Sequence, residues 1–305
     1  MPAADGRALV VGEALIDLTR DSSGHESAHP GGSPLNVAVG MARLDVSTVL
    51  AAQVGDDEYG ELLRDHVDAS DVDLRSLPPH RGDTGTALAE LDDDGAATYR
   101  FELDWDPTEM PSADAFDLVH VGSIATVLTP GADAVERLVH DAVRAGVPVS
   151  YDPNIRLAIT PDVEVVRERV DRIVSCSAIV KLSDEDARVL RPDLEPTAYA
   201  VHLAAAGPRL VALTRGGDGA VLISGDLVVD VAPPVTEVAD TIGAGDSFMA
   251  ALLAGILVRG WTRRLSYDRE ALTWLGDLAV RAAAITCSRP GADPPWRREL
   301  RPLTG

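Results

Sequence analysis

Short apolar runs of strand length recur at residues 8–11, 48–54, 118–121, 148–151, 178–181 and 210–214. Between them, residues 35–44, 132–145, 163–174 and 197–206 place apolar side chains at intervals of three and four, the spacing of a helix with one buried face. Strands that are apolar on both faces and alternate with helices predict a mostly parallel sheet covered on both sides, opening with a βαβ unit. Residues 220–223 and 227–231, joined by Ser224-Gly225-Asp226, read as a hairpin and predict an antiparallel edge to that sheet. Residues 86–91 and 96–103 have another texture: apolar and polar positions alternate around the turn Asp92-Asp93-Asp94-Gly95, the pattern of a β-hairpin inserted between α/β units. Such an insertion serves as a lid or as an edge decoration, and the pattern leaves both open. No internal repeat or low-complexity segment is present.

A chain of 305 residues can bury one large α/β core or two modest ones, and continuous strand–helix alternation favours one domain spanning residues 1–305 with a small lid inserted at about 13–30 and 84–106. A hydrophobic content of 46% excludes general disorder. No apolar run reaches the roughly 18 residues of a membrane span, so a soluble protein is expected. Residues 1–7 lead directly into the first strand and leave no room for a secretory signal, which predicts a cytoplasmic location. Cys176 and Cys287 form neither a disulfide framework nor a CxxC metal pattern and read as reduced, buried fillers. The net charge of −22 argues against nucleic acid and anionic membranes as partners. It does not exclude a nucleotide, because a local cradle of amides outweighs a screened global field. Lys181 is the single lysine.

The segment with the most chemistry is Asp240-Thr241-Ile242-Gly243-Ala244-Gly245-Asp246-Ser247, followed at once by an apolar helix. Gly243 and Gly245 allow a sharp turn and close approach to a ligand, and the first amides of the helix point outward as donors for an anion. Asp246 beside that cradle could orient and deprotonate a hydroxyl as a phosphoryl group reaches it. The bland alternative is an ordinary helix start with Asp246 as a first-turn acid worth roughly 0.3–1 kcal/mol. Near the N-terminus, Asp17 at a strand end and Asn36 in a helix opened by Gly31-Gly32-Ser33-Pro34 suit the hydroxyls of a polyol. Alternatively Asp17 merely ends a strand, Ser33 caps the helix and Asn36 packs on its first turn. Thr214-Arg215-Gly216-Gly217-Asp218-Gly219 offers close-approaching backbone and a guanidinium for nucleotide phosphates, or is only a turn. It lacks the Walker lysine spacing, and no Rossmann GxGxxG is present. At another strand end, Lys181 could meet phosphate, and Asp184 and Glu185 could hold Mg²⁺ through water or simply begin a helix.

Together these segments resemble the PfkB (ribokinase-like) family of carbohydrate kinases, with the match running from about Val10 to Pro295. The most specific pieces are residues 240–248, similar to the family's C-terminal signature, and residues 31–38, similar to its N-terminal one. The resemblance implies a three-layer α/β/α domain with a β lid, and ATP-dependent, Mg²⁺-assisted phosphorylation of a sugar hydroxyl. It implies Asp246 as base and Gly243, Ala244 and Gly245 as the anion hole. It assigns Asp17, Gly32, Asn36, Arg100 and Arg156 to the sugar, and Lys181, Thr214, Arg215, Gly216, Gly217, Gly219 and Cys287 to the nucleotide. Asp240, Ile242 and Gly291 match part of a loop that binds a monovalent cation such as K⁺ in members of the family.

Within the family, Gly12-Glu13 with Ile16-Asp17, Ser33-Pro34-Leu35, residues 152–156 and the tail 287–295 look most like fructokinases. The Gly-Lys-Gly-Ala-Asn pattern of ribokinases is absent. The family's Asn-x-x-Glu motif is replaced by Lys181-Leu182-Ser183-Asp184. Fructose is therefore the expected acceptor, with 2-keto-3-deoxygluconate, ribose or a nucleoside as rivals within the same chemistry. A non-catalytic sugar or nucleotide sensor is a rival from another class, and an oxidoreductase is disfavoured by the missing nicotinamide fingerprint. A homodimer through exposed lid strands is a further expectation.

Overall fold

The computed structural model describes residues 6–20, 26–77, 82–91 and 97–300. In chain order the first half runs β1 (Arg7–Val11), β2 (Leu15–Arg20), β3 (Glu26–Gly31), α1 (Ser33–Arg43), β4 (Ser47–Gln53), α2 (Glu58–Asp68), β5 (Asp73–Leu77), β6 (Gly85–Leu91), β7 (Ala97–Glu102), β8 (Leu118–Gly122), α3 (Gly131–Ala145) and β9 (Val149–Asp152). The second half runs α4 (Val163–Cys176), β10 (Ile179–Ser183), α5 (Asp184–Leu190), α6 (Pro196–Ala205), β11 (Leu210–Thr214), β12 (Ala220–Ser224), β13 (Leu227–Val231), α7 (Ala244–Val258) and α8 (Arg269–Cys287).

Nine strands form one sheet in the order β13-β12-β11-β10-β9-β8-β1-β4-β5. It is parallel from β5 to β11, and the β12–β13 hairpin adds the antiparallel edge anticipated from its turn. Alternate residues of each strand enter two separate cores, as a strand's period of two requires. Val10, Leu50, Leu118, Ile179 and Ala212 face α1, α2, α7 and α8. Val11, Ala51, Val121, Val180 and Leu213 face α3, α4, α5 and α6. This is the three-layer α/β/α arrangement that the apolar pattern predicts. Helix α7 is apolar around its whole circumference because it lies between neighbours and is buried from Asp246 to Leu257. A Cβ at Gly40 of α1 would lie only 2.6 Å from the Ala250 Cβ of α7, so a glycine there brings the two helices together.

The second sheet has four strands in the order β3-β2-β6-β7 and forms the lid. The hairpin predicted from alternation is β6–β7, with Ala87 opposite Phe101; its acidic turn lies outside the described residues. Parallel pairing of β6 with β2 sets Ala87 beside Asp17 and joins the hairpin to the N-terminal segment. Cys176 and Cys287 are free thiols but only half-buried, less enclosed than the sequence suggested. No helix among the described residues is long and apolar enough to cross a membrane.

Candidate active site

Parallel sheets bind ligands beyond the carboxyl ends of their strands, and here that edge lies under the lid, where α1 and α7 begin. Gly243 caps α7 with φ 73° and ψ 1°, the left-handed region. A Cβ there would also meet the Ala292 Cβ at 2.6 Å, so both torsion and space demand glycine. No side chain caps the helix. The Ala244 amide donates to the Thr241 carbonyl over 3.3 Å, while the Gly243, Gly245 and Asp246 amides have no partner among the described residues. Two of the three positions expected to form the anion cradle, Gly243 and Gly245, thus keep open donors, and Asp246 adds a third.

Asp246, third residue of α7, points across to α1. Its two carboxylate oxygens accept hydrogen bonds from Ser33 Oγ at 2.6 Å and Asn36 Nδ2 at 2.9 Å. These oxygens are charge-bearing acceptors with two lone pairs each, so each retains capacity for an incoming hydroxyl. The Asn36 Oδ1 is buried without a partner among the described residues. Burying such an acceptor is unfavourable until a donor arrives, and a ligand hydroxyl supplies one. Ser33 therefore serves the carboxylate of α7 and does not cap its own helix, whose N-cap is Gly32 with no side-chain bond.

Lys181 on β10 lies directly beneath the cradle: a Cβ at Gly245 would be 3.0 Å from its Nζ. The ammonium donates to Asp152 Oδ2 at 2.8 Å, and both side chains are almost wholly buried. Burial raises the Asp152 pKa to about 6, with Lys181 acting against that rise. Burial opposes charge on Lys181, but the fields of Asp152, Asp186 and Asp246 outweigh it and hold the ammonium above its ordinary value. The remaining Asp152 oxygen, Oδ1, is buried without a partner among the described residues.

The Ser-x-x-acid frame that organises the end of β10 is Ser183 with Asp186. Ser183 caps α5 in a reciprocal capping box, and Asp186 Oδ1 also accepts the Ile155 amide at 2.8 Å, fixing the 153–156 loop. Asp184 instead pairs with Arg188 at 2.7 Å, and Glu185 is exposed. Among the described residues no cluster of three or more acids, histidines or cysteines is arranged as a metal site. Mg²⁺ commonly takes one or two carboxylates with substrate phosphates and water, a demand that Asp184 and Glu185 meet in donor type.

On the lid, a Cβ at Gly31 would lie 2.0 Å from Asp17 Oδ2, and one at Gly32 would lie 2.6 Å from the Glu13 carbonyl oxygen. The glycine pair makes room for this chain's own Asp17 carboxylate and Glu13 backbone, a closer requirement than approach to a sugar. Burial lifts the Asp17 pKa to about 6; His29 and Arg156 oppose the shift and Asp246 adds to it. Arg156 stands on the 153–156 loop and is exposed. Arg100 pairs in register with Leu88, one position out of step with Asp17 and Ala87. That parity puts it on the face of the lid opposite Asp17, 74% exposed, so the register separates Arg100 from the other residues expected at the sugar.

Gly216 and Gly217 leave open space around their Cα atoms, whereas a Cβ at Gly219 would lie 2.2 Å from the Val231 carbonyl oxygen. Thr214 ends β11 with its hydroxyl toward the Leu182 carbonyl. Arg215 does not offer an unencumbered guanidinium: it bonds Asp230 at 3.0 Å and the Asp218 carbonyl at 3.2 Å. Asp240 Oδ1 accepts the Ile242 amide at 3.0 Å and Oδ2 the Gly291 amide at 2.9 Å, which brings the three predicted loop positions together. Partial burial of Asp240 is outweighed by the Ile242, Gly291 and Thr241 amides, and its pKa falls below the ordinary value. The Cys287 carbonyl accepts the Ala239 and Asp240 amides, so that residue supports the loop through backbone, while burial and Asp240 raise its thiol pKa.

Three buried acids carry raised pKa values, Glu13 at about 7 and Asp17 and Asp152 at about 6, each lifted by burial. The unfolded chain releases these protons near pH 4, so their stabilising contribution is complete below that and disappears as pH rises through 6 to 7. Asp57 and Asp240, whose pKa values are lowered, act in the opposite sense but only at lower pH. Burial also lowers the pKa of His120 to about 3 and depresses that of His66, and these imidazoles oppose the fall up to their ordinary value near 6.5. With three acids against two imidazoles, the melting temperature of the unliganded protein should fall modestly between about pH 5 and about pH 7. Scanning calorimetry checks this, and a rise across that interval would contradict it.

The sequence matches the model of the "pfkB family carbohydrate kinase" over residues 5–298. It is 33% identical to a fructokinase of Klebsiella pneumoniae over 301 residues, covering 95% of this chain and 98% of that protein. A sugar kinase of Pyrococcus horikoshii solved in complex with ATP superposes with a TM-score of 0.80 at 28% identity, covering 98% of this chain and 100% of the other. A fructokinase double mutant of Vibrio cholerae O395, solved with fructose, ADP and potassium ion, gives a TM-score of 0.80 at 25% identity over 96% of this chain and 95% of that one. A match that spans nearly the entire chain, and includes both the glycine turn at Asp246 and the helix that holds its carboxylate, places this protein in the PfkB family of carbohydrate kinases.

Proposed function

We propose that this member of the family is a fructokinase, transferring the γ-phosphoryl group of ATP to a primary hydroxyl of fructose. The observation that carries the reading is the Asp246 carboxylate, held by Ser33 and Asn36 beside the open amides of α7. In this reading the sugar lies between Asp17, Asn36, Arg156 and the lid, and one hydroxyl donates to the vacant Asn36 Oδ1. Another hydroxyl donates to Asp246, which accepts its proton as the phosphoryl group arrives in line. The nucleotide follows the 214–219 turn toward α7, where the Gly245 and Asp246 amides and the Lys181 ammonium face the transferred group. Preorganised donors stabilise charge there without reorganising. Mg²⁺ near Asp184 and Glu185 would neutralise phosphate charge. The loop of Asp240, Ile242 and Gly291 supplies hard oxygens for K⁺, the ion named with the Vibrio fructokinase.

Charge favours a neutral sugar over a sugar acid. The acceptor side carries Glu13, Asp17 and Asp246, and Arg156 already serves the fields of Glu13 and Asp17. A carboxylate substrate would enter that surplus of acids with little counter-charge remaining. A panel of fructose, ribose, 2-keto-3-deoxygluconate and nucleosides with coupled ADP detection tests the choice. Fructose should give the highest kcat/KM by tenfold or more. Preference for another acceptor would overturn the substrate assignment, and sugar binding without ADP release would overturn the catalytic one.

A further inference from the structure

The chain crosses between the main sheet and the lid near Glu13, on the way in to β2, and near Trp105, on the way out from β7. Both crossings are tied to the same residue. The Ala125 amide donates to Glu13 Oε2 at 3.2 Å, and the Ala125 carbonyl accepts the Trp105 indole N–H at 2.9 Å. Glu13 is 3% exposed and Trp105 is equally buried. The Ser123 side chain neighbours the Glu13 carboxylate and pulls its pKa down against the effect of burial. Ser123 has φ 52°, a left-handed conformation uncommon for a residue with a side chain. At Gly12 a Cβ would lie 2.3 Å from Pro34 and 3.2 Å from the Ala125 Cβ, so the inbound crossing is pressed against both the turn and α1.

We propose that Glu13 is a positioning residue for phosphoryl transfer, clamping the 123–126 turn against both lid crossings and thereby setting Asp17 and Arg156 at the sugar site. The inference rests on the reading of this edge as a sugar site. Its physical content is a lever: Asp17 lies four residues beyond Glu13 on the lid, and Arg156 exerts its field on both carboxylates. Burial raises the Glu13 pKa to about 7, the sign of a carboxyl retained in an apolar setting where a methyl group would be easier to bury. A clamp of this kind should govern the lid side of the site and leave the nucleotide side, at 214–219 and 240–245, unchanged.

Glu13→Gln preserves size, but its amide cannot turn an accepting oxygen to both Ser123 and Ala125. Ser123→Ala removes one polar neighbour and leaves the carboxyl in place. Each should raise KM for the best acceptor in the sugar panel, about tenfold for Glu13→Gln and two- to threefold for Ser123→Ala. KM for ATP should stay within twofold. Amide hydrogen exchange, read without any sugar, should accelerate across residues 121–127 and 13–19 but not in α8. Unchanged sugar KM with unchanged exchange in folded Glu13→Gln would overturn the proposal, as would parallel rises in both KM values, the mark of general loosening. Because the exchange arm needs no substrate, a wrong acceptor assignment leaves it readable and is distinguished from failure of the clamp.

Discussion

Asp246→Asn should lower kcat by about 10²–10⁴-fold, the range that a positioned general base contributes, while ADP binding measured by calorimetry stays within about twofold. The substitution retains the shape of the side chain and its Ser33 contact, since an amide oxygen still accepts the hydroxyl seen at 2.6 Å. Its amide nitrogen then meets the Asn36 Nδ2 donor, now 2.9 Å from a carboxylate oxygen, so the Asn36 amide must turn. Loss of a first-turn acid costs about 0.3–1 kcal/mol of helix stabilisation, far too little to unfold a protein with this core. A slow but folded enzyme is therefore expected, with most of the deficit in kcat. Near-normal turnover would show that Asp246 only shapes the helix start and that proton transfer proceeds without it.

Local signals made much of this site legible. Gly243 and Asp246 stand three residues apart in a turn that needs a left-handed residue and opens an apolar helix, so composition and order suffice to mark them. The partners of Asp246 are different in kind. Ser33 reads as a helix cap, and only the close crossing of α1 on α7 at Gly40 and Ala250 brings it across 213 positions of sequence to the carboxylate. Arg215 looks like a phosphate ligand until the returning strand β13 presents Asp230 to it. For Arg100 the decisive fact is strand parity, which pairing register sets and residue type does not. In the fold, α2 and β5 escape an apolar-spacing argument because α2 buries only Gly60, Leu63 and Val67, and β5 buries little beyond Leu77. Helix α8 is not among the predicted elements although its pattern is plain: Asp268 caps it, and Ala271, Leu272, Leu275, Leu278, Ala279 and Ala282 fall on one buried stripe. Glu13, Asp152 and Lys181 are marked in the sequence by resemblance or strand-end position, but their pairings are not, since the partners come from neighbouring strands and turns.

That buried pair yields the other large effect. Lys181→Met removes the counter-charge from Asp152, a fully buried carboxylate whose other oxygen has no partner among the described residues. Stranding one member of a buried ion pair costs about 3–5 kcal/mol, and at about 2 °C per kcal/mol for a chain of this size the melting temperature should drop by about 6–10 °C. The activity lost with it has two candidate origins: the weakened fold, and the missing positive charge beneath Gly245, where a Cβ would touch the ammonium. Combining Lys181→Met with Asp152→Asn separates them, because replacing both ions relieves the stranded charge without restoring a cation. The double variant should recover most of the melting temperature, read by calorimetry, and still turn over at least tenfold more slowly than the native enzyme. Recovery of kcat together with stability would instead make Lys181 a scaffold for Asp152 and leave stabilisation of the transferred phosphoryl group to the α7 amides alone.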